Sequence, residues 1–141
     1  MSATTLAALA RTSEPNAVLR RFLALDAVVT GTNGVAYLAA SGPLGRFLGV
    51  DSGLLLTLGA ILTAYGVAVG VVAGRARPAA LGVRAVVEVN LAWTALSLIA
   101  LVLWLSPSTA GAVWTVLQAL TVGGFAALQW AALRNRQASS E

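Results

Sequence analysis

The chain has 141 residues, of which 58% are hydrophobic and only 10% charged, with a net charge of +4. A soluble domain carries roughly a quarter charged residues, so this composition, with a mean hydropathy of +0.84, points to an integral membrane protein of about one domain. Cysteine and histidine are both absent, which excludes disulfides, thiol chemistry, Cys/His zinc sites and histidine-ligated haem; no metal or cofactor is expected.

All nine basic residues are arginine, and they fall beside apolar runs rather than along a groove-lining patch. Membrane topology accounts for them better than nucleic acid does, so no nucleic-acid partner is expected. Enrichment in Ala, Leu, Val, Gly and Arg without lysine has the look of a high-GC bacterial genome.

Residues 1–19 form a lead-in rather than a signal peptide. The run TLAALA is short, no basic segment precedes it, and Arg11, Glu14 and Pro15 follow at once. A short amphipathic or disordered cytoplasmic segment is expected there. The first span covers about 22–40. A helix rises ~1.5 Å per residue, so ~20 residues cross the ~30 Å hydrocarbon core. Its polar residues, Asp26, Thr30, Asn33 and Tyr37, are spaced by 4, 3 and 4, which is one stripe on a helix. Such a stripe either lines a cavity or hydrogen-bonds to neighbouring helices. For Asp26 function is favoured, because a buried carboxylate is a costly way to join helices.

Residues 41–53 read as a loop punctuated by Gly42-Pro43, with Asp51 or Ser52 placed to cap the next helix. The second span, about 54–73, is uncharged. Gly66, Gly70 and Gly74 recur every four residues, and Gly59 and Thr63 continue the small face. Small residues at this spacing admit the backbone of another helix. The partner is either a helix of this chain or a second copy, giving a homodimer, or another membrane protein. Tyr65 lies off that face near mid-membrane, where its hydroxyl needs a partner.

A second loop follows with Arg75, Arg77 and Arg84, where Pro78 prevents continuation of the helix. The third span, about 85–105, carries Glu88 and Asn90. Ser106-Pro107-Ser108-Thr109 is a tight third loop, with Trp104 and Trp114 near its ends as expected of an aromatic belt. The fourth span, about 112–133, places Trp114, Gln118 and Thr121 close to one face, with Gln129 returning near it. A short polar tail, 137–141, ends the chain.

Eight arginines precede the first span, lie in the second loop or follow the fourth span; only Arg46 falls on the other side. The positive-inside rule then puts both termini in the cytoplasm. The expected fold is all-α: a four-transmembrane-helix bundle with short loops, in the lipid bilayer of a bacterial cytoplasmic membrane.

Asp26, Glu88 and Gln129 each lie four or five residues from an arginine, roughly 6–8 Å inside the same leaflet. Arg84 and Glu88 are also i and i+4 neighbours. These four residues are therefore expected to form one charged cluster, with Asn33, Tyr65, Asn90 and Thr94 deeper; Asn33, Tyr65, Asn90 and Gln129 are the candidate ligand-binding groups. Alternatively Arg84 snorkels to the headgroups and pairs with Glu88. Two acids against one arginine leave surplus negative charge, and desolvation and repulsion favour protonation of at least one acid. Asp26 and Glu88 are thus the candidate proton-bearing acids, able to carry a proton, bind a cation or act as a general acid, with Arg84 beside them.

Three roles fit this pattern. An accessory, assembly or ligand-binding membrane subunit comes first. A proton-coupled transporter of a lipophilic or cationic solute is the second. The third is a membrane-embedded isomerase, cyclase or epoxide-opening enzyme on a lipophilic small molecule. Small multidrug-resistance exporters are similar in four-helix scale and carry an acid in the first helix, although the residues flanking Asp26 differ from theirs. The stretch LRRFLALDAVVTGTNGVAYL, arginine-led and glycine-bearing, resembles the first helix of DoxX-like small bacterial membrane proteins, which also have four helices and a similar length. It lacks the lysine expected after the glycine, and no functional residue is carried over.

Overall fold

The computed structural model describes residues 3–139, with side chains from Pro15 onward. It contains five helices: α1 (Ala3–Ala39), α2 (Ser41–Leu48), α3 (Ser52–Ala73), α4 (Ala80–Leu103) and α5 (Thr109–Ser139). No strand occurs among the described residues. Four segments are long and apolar enough to cross a membrane: Pro15–Ala39 of α1, and α3, α4 and α5. The all-α, four-span architecture read from the sequence is therefore present.

The boundaries differ in instructive ways. The backbone of the lead-in is helical from Ala3 and continuous with the first span, while Met1, Ser2 and the side chains before Pro15 lie outside the described residues. Helix α4 starts five residues before the expected start at 85, and α5 runs on through Arg134 and Arg136. The loop expected at 41–53 contains a helix instead. Pro43 is tolerated in the first turn of α2, where backbone N–H groups have no helical partner anyway. Gly49, at φ 69°, ends α2 in the left-handed region, which glycine enters without steric cost. Asp51 occupies the N-cap position of α3, yet its carboxylate makes no capping hydrogen bond.

Around the bundle the order is α3, α1, α5, α4, and α3 touches α4 only slightly. The tightest seam joins α1 to α3. A Cβ added at Gly66 would lie 2.9 Å from Gly31 Cα, and one at Gly34 would lie 2.6 Å from the Thr63 backbone nitrogen. The glycine face of the second span thus has its partner within this chain: Gly66 packs on α1, and Gly70 faces Ala27. Gly74 meets only its own helix and is exposed.

Packing is uneven along the bundle. The main core gathers Leu19, Leu23, Val69, Val83, Val86, Ala126 and Leu133 near the arginine-rich end. That end is also tied by side chains to backbone: Arg20 Nε donates to the Ala73 carbonyl at 3.0 Å. Arg136, buried, donates from Nη1 to the Pro78 carbonyl and to Asn16 Oδ1. A smaller cluster of Tyr37, Leu55 and Leu62 fills the opposite half. There α2 is held by the third loop, where Ser108 donates from its backbone N–H to Leu48 O and from Oγ to Phe47 O. Beyond the point where Tyr65 bonds α4, α3 and α4 diverge.

Candidate functional site

Asp26 and Thr30 stand one turn apart on α1, so both point into the bundle. Helix α4 turns Val83, Val86, Val87 and Asn90 inward, and α5 contributes Ala126 and Gln129. This packing brings the three helices together at Asp26, whose side chain is fully buried. Thr30 Oγ1 donates to Asp26 Oδ1 at 3.0 Å. Asn90 Nδ2 and Gln129 Nε2 donate to Oδ2 at 2.8 and 2.7 Å. The two amides are also joined, Asn90 Nδ2 to Gln129 Oε1 at 3.0 Å. Tyr65 on α3 closes the set: its hydroxyl lies 3.0 Å from Asn90 Oδ1 and 3.1 Å from the Val86 carbonyl, two acceptors for one proton.

The result is a network across all four spans, and no buried side-chain nitrogen or oxygen among the described residues lacks a partner. The donors around Asp26 suit a carboxylate, which only accepts. Their helices are fixed by apolar packing, so the network is pre-formed. It can hold a carboxyl group out of water at a defined point in the bundle, as well as pin α1, α4 and α5 in register.

Two cavities lie beyond this layer, away from the arginine-rich end. The inner one, of about 130 Å³, is lined by Val29, Thr30, Asn33, Tyr37, Leu62, Trp93, Trp114, Leu117, Gln118, Thr121 and Val122, and it also opens between α1 and α5, where Val29, Leu117 and Thr121 are exposed. The outer one, of about 500 Å³, occupies the cleft where α3 and α4 diverge, with Leu54, Leu55 and Leu58 on one side and Leu96, Ser97, Ala100 and Trp104 on the other. Leu96 and Trp104 on its lining are 64% and 84% exposed, so the cleft reaches the outer surface of the bundle. Tyr37, Trp93, Trp114 and Gln118 border both cavities. They are paired across helices: Trp114 Nε1 donates to the Tyr37 hydroxyl and Trp93 Nε1 to Gln118 Oε1, each at 2.7 Å.

The polar stripe of the first span is therefore one inward face, with Asp26 and Thr30 in the network and Asn33 and Tyr37 on the inner cavity. Gln129 and Asn90 join Asp26 directly and Tyr65 joins it through Asn90, rather than lying at separate depths. Arg84 and Glu88 do not join it. Both are exposed, because the face of α4 carrying Val83, Val86, Val87 and Asn90 is the one that packs inward, so the expected Asp26–Arg84–Glu88–Gln129 cluster is not formed. Thr94 donates instead to the carbonyls of Asn90 and Ala119. Trp114, expected only as a belt residue, is a cavity wall with a hydrogen-bonded indole. Trp93 had no sequence signal beyond its type; its spacing of three residues from Asn90 is the one clue, since i and i+3 share a helix face. A comparison with protein-family models, with curated proteins and with solved structures matches none of them to this chain.

Proposed function

We propose that this chain is a ligand-binding membrane protein that takes a lipophilic small molecule from the bilayer into the cleft between α3 and α4. The carrying observation is the outer cavity. Its volume falls in the ~300–1,000 Å³ range of small-molecule sites, its walls are Leu, Trp and Tyr, and a few polar groups converge at its inner end. Mouth residues exposed on the outer surface support lateral entry. The four apolar helices support a site within the membrane, and the arginines gathered at the opposite end support an orientation with both termini in the cytoplasm. The host is then a bacterial cytoplasmic membrane, with the cleft in its outer leaflet.

The test is quenching of tryptophan fluorescence by a bromoalkane in lipid nanodiscs. Trp93, Trp104 and Trp114 line the cleft, whereas Trp130 is exposed on α5 away from it and gives the background. Wild-type quenching should saturate, and Ala100→Phe, which fills the cleft, should remove the saturable part. Quenching that rises linearly in both proteins would instead mean simple partitioning into lipid.

Thr30 motivates a second reading. It lines the inner cavity and donates to Asp26, so a proton on Asp26 has a hydroxyl between it and the cavity. That arrangement suits acid/base chemistry on the bound molecule or proton-coupled movement of it. Thr30→Val and Asp26→Asn would then abolish turnover or transport while saturable quenching persists; unchanged turnover in both variants would remove this reading.

A further inference from the structure

The inner cavity has a hydrogen-bonding character that its neighbours in the network do not share. Asn33 lines it, and its carboxamide makes no hydrogen bond to any described residue. Tyr37 is 8% exposed, and its oxygen accepts the Trp114 indole proton. The hydroxyl's own proton is given to no acceptor among the described residues. Gln118 donates one amide proton to the Thr115 carbonyl and keeps a second. The unspent donors are Tyr37 O–H, the Asn33 amide and one N–H of Gln118. The Asn33 carbonyl, the second lone pair of Gln118 Oε1 and the hydroxyl oxygens of Thr30 and Thr121 remain as acceptors.

No acid and no arginine lines this cavity. Asp26 is fully buried behind Thr30, with both oxygens already hydrogen-bonded. Nothing in the wall offers a charged head group its counter-charge, and an unpaired charge in so apolar a place is strongly disfavoured. A neutral oxygen is different, because it accepts from donors that have no other partner.

We infer that the inner cavity receives the carbonyl or hydroxyl oxygen of a neutral lipophile whose hydrocarbon body lies in the outer cavity, Tyr37 and Asn33 donating to that oxygen. This rests on the lipophile-binding reading above and adds the chemical class of the ligand. The volumes agree with it. About 130 Å³ admits a carbonyl and the few carbons beside it, and about 500 Å³ admits the chain or ring system. A site with donors built for an oxygen discriminates against the analogue without one, because its polar groups are then left unpaired.

The experiment compares an ω-bromo methyl ketone with a bromoalkane of equal carbon count, each as a quencher of wild-type protein in nanodiscs. Saturable binding of both, with the ketone about tenfold tighter, is the expected result. Asn33→Leu and Tyr37→Phe should each bring the ratio of ketone to alkane affinity close to one. The first of these leaves the Tyr37–Trp114 pair untouched, so the test survives if Tyr37→Phe fails to fold. Equal saturable affinity of both probes for wild type, or a preference that persists in both variants, overturns the inference while leaving the lipophile site standing. Loss of saturable binding for both probes overturns the two together.

Discussion

Thr30, Asn90 and Gln129 each give Asp26 a donor, so removing the carboxylate strands three groups rather than one. A buried donor without a partner costs about 1–3 kcal/mol, although interhelical hydrogen bonds in membranes are individually worth less, about 0.6 kcal/mol on average. Asp26→Ala should therefore destabilise the protein by roughly 2–3 kcal/mol in reversible unfolding from bicelles. Arg84→Ala and Glu88→Gln, on exposed side chains, should each change stability by no more than about 0.5 kcal/mol. Near-neutral Asp26→Ala would mean that the network bears little of the helix packing. At this scale much was legible from spacing. The 4, 3, 4 rhythm of Asp26, Thr30, Asn33 and Tyr37 defines one face, and that face is the one buried. The partners were not legible, because the rotation of α4 about its axis is set by which apolar residues pack inward. Val83, Val86 and Val87 chose Asn90 and turned Glu88 outward.

Helices α1 and α3 meet through glycine, and the fit leaves no room for a side chain at the closest points. Gly34→Leu and Gly66→Leu should each cost at least about 1–3 kcal/mol by overpacking, and they should also displace Tyr37 and Leu62 at the cavities. Gly124 faces open space, so Gly124→Ala should be neutral or stabilising by up to about 1 kcal/mol. Unfolding measurements on the three variants decide the matter: equal effects would contradict the seam. The repeat of small residues in α3 was legible as a packing face, and the structure supplies its partner inside the chain. Helix α2 was not legible. Its eight residues contain Gly42, Pro43 and Gly45, a composition that reads as a turn, and its order comes from contacts with α3 and the third loop rather than from its own propensity.

At the scale of the molecule, one end is closed and the other divided. The arginine-rich end has the larger apolar core and the Arg20 and Arg136 ties. The other end lets α3 and α4 part around the cleft. The hydropathy of the sequence shows four helices apolar enough to span and the arginine bias proposes their sense, but no periodicity reveals a gap between two helices that are adjacent in sequence. Orientation is open to direct test because the chain has no cysteine. In intact cells an impermeant thiol reagent should label Arg46→Cys, and should reach Arg77→Cys only after permeabilisation; the reverse pattern would invert the topology.

Photolabelling tests the cleft most directly. A lipophilic diazirine is irradiated with the protein in nanodiscs, and the labelled residues are located by mass spectrometry. The predicted result is saturable label on Trp93, Ser97, Ala100 and Gln118, competed by unlabelled lipophile and lost in Ala100→Phe. Label spread without saturation over the exposed apolar faces of α3 and α5, such as Val67, Val71 and Leu120, would contradict a binding site between α3 and α4.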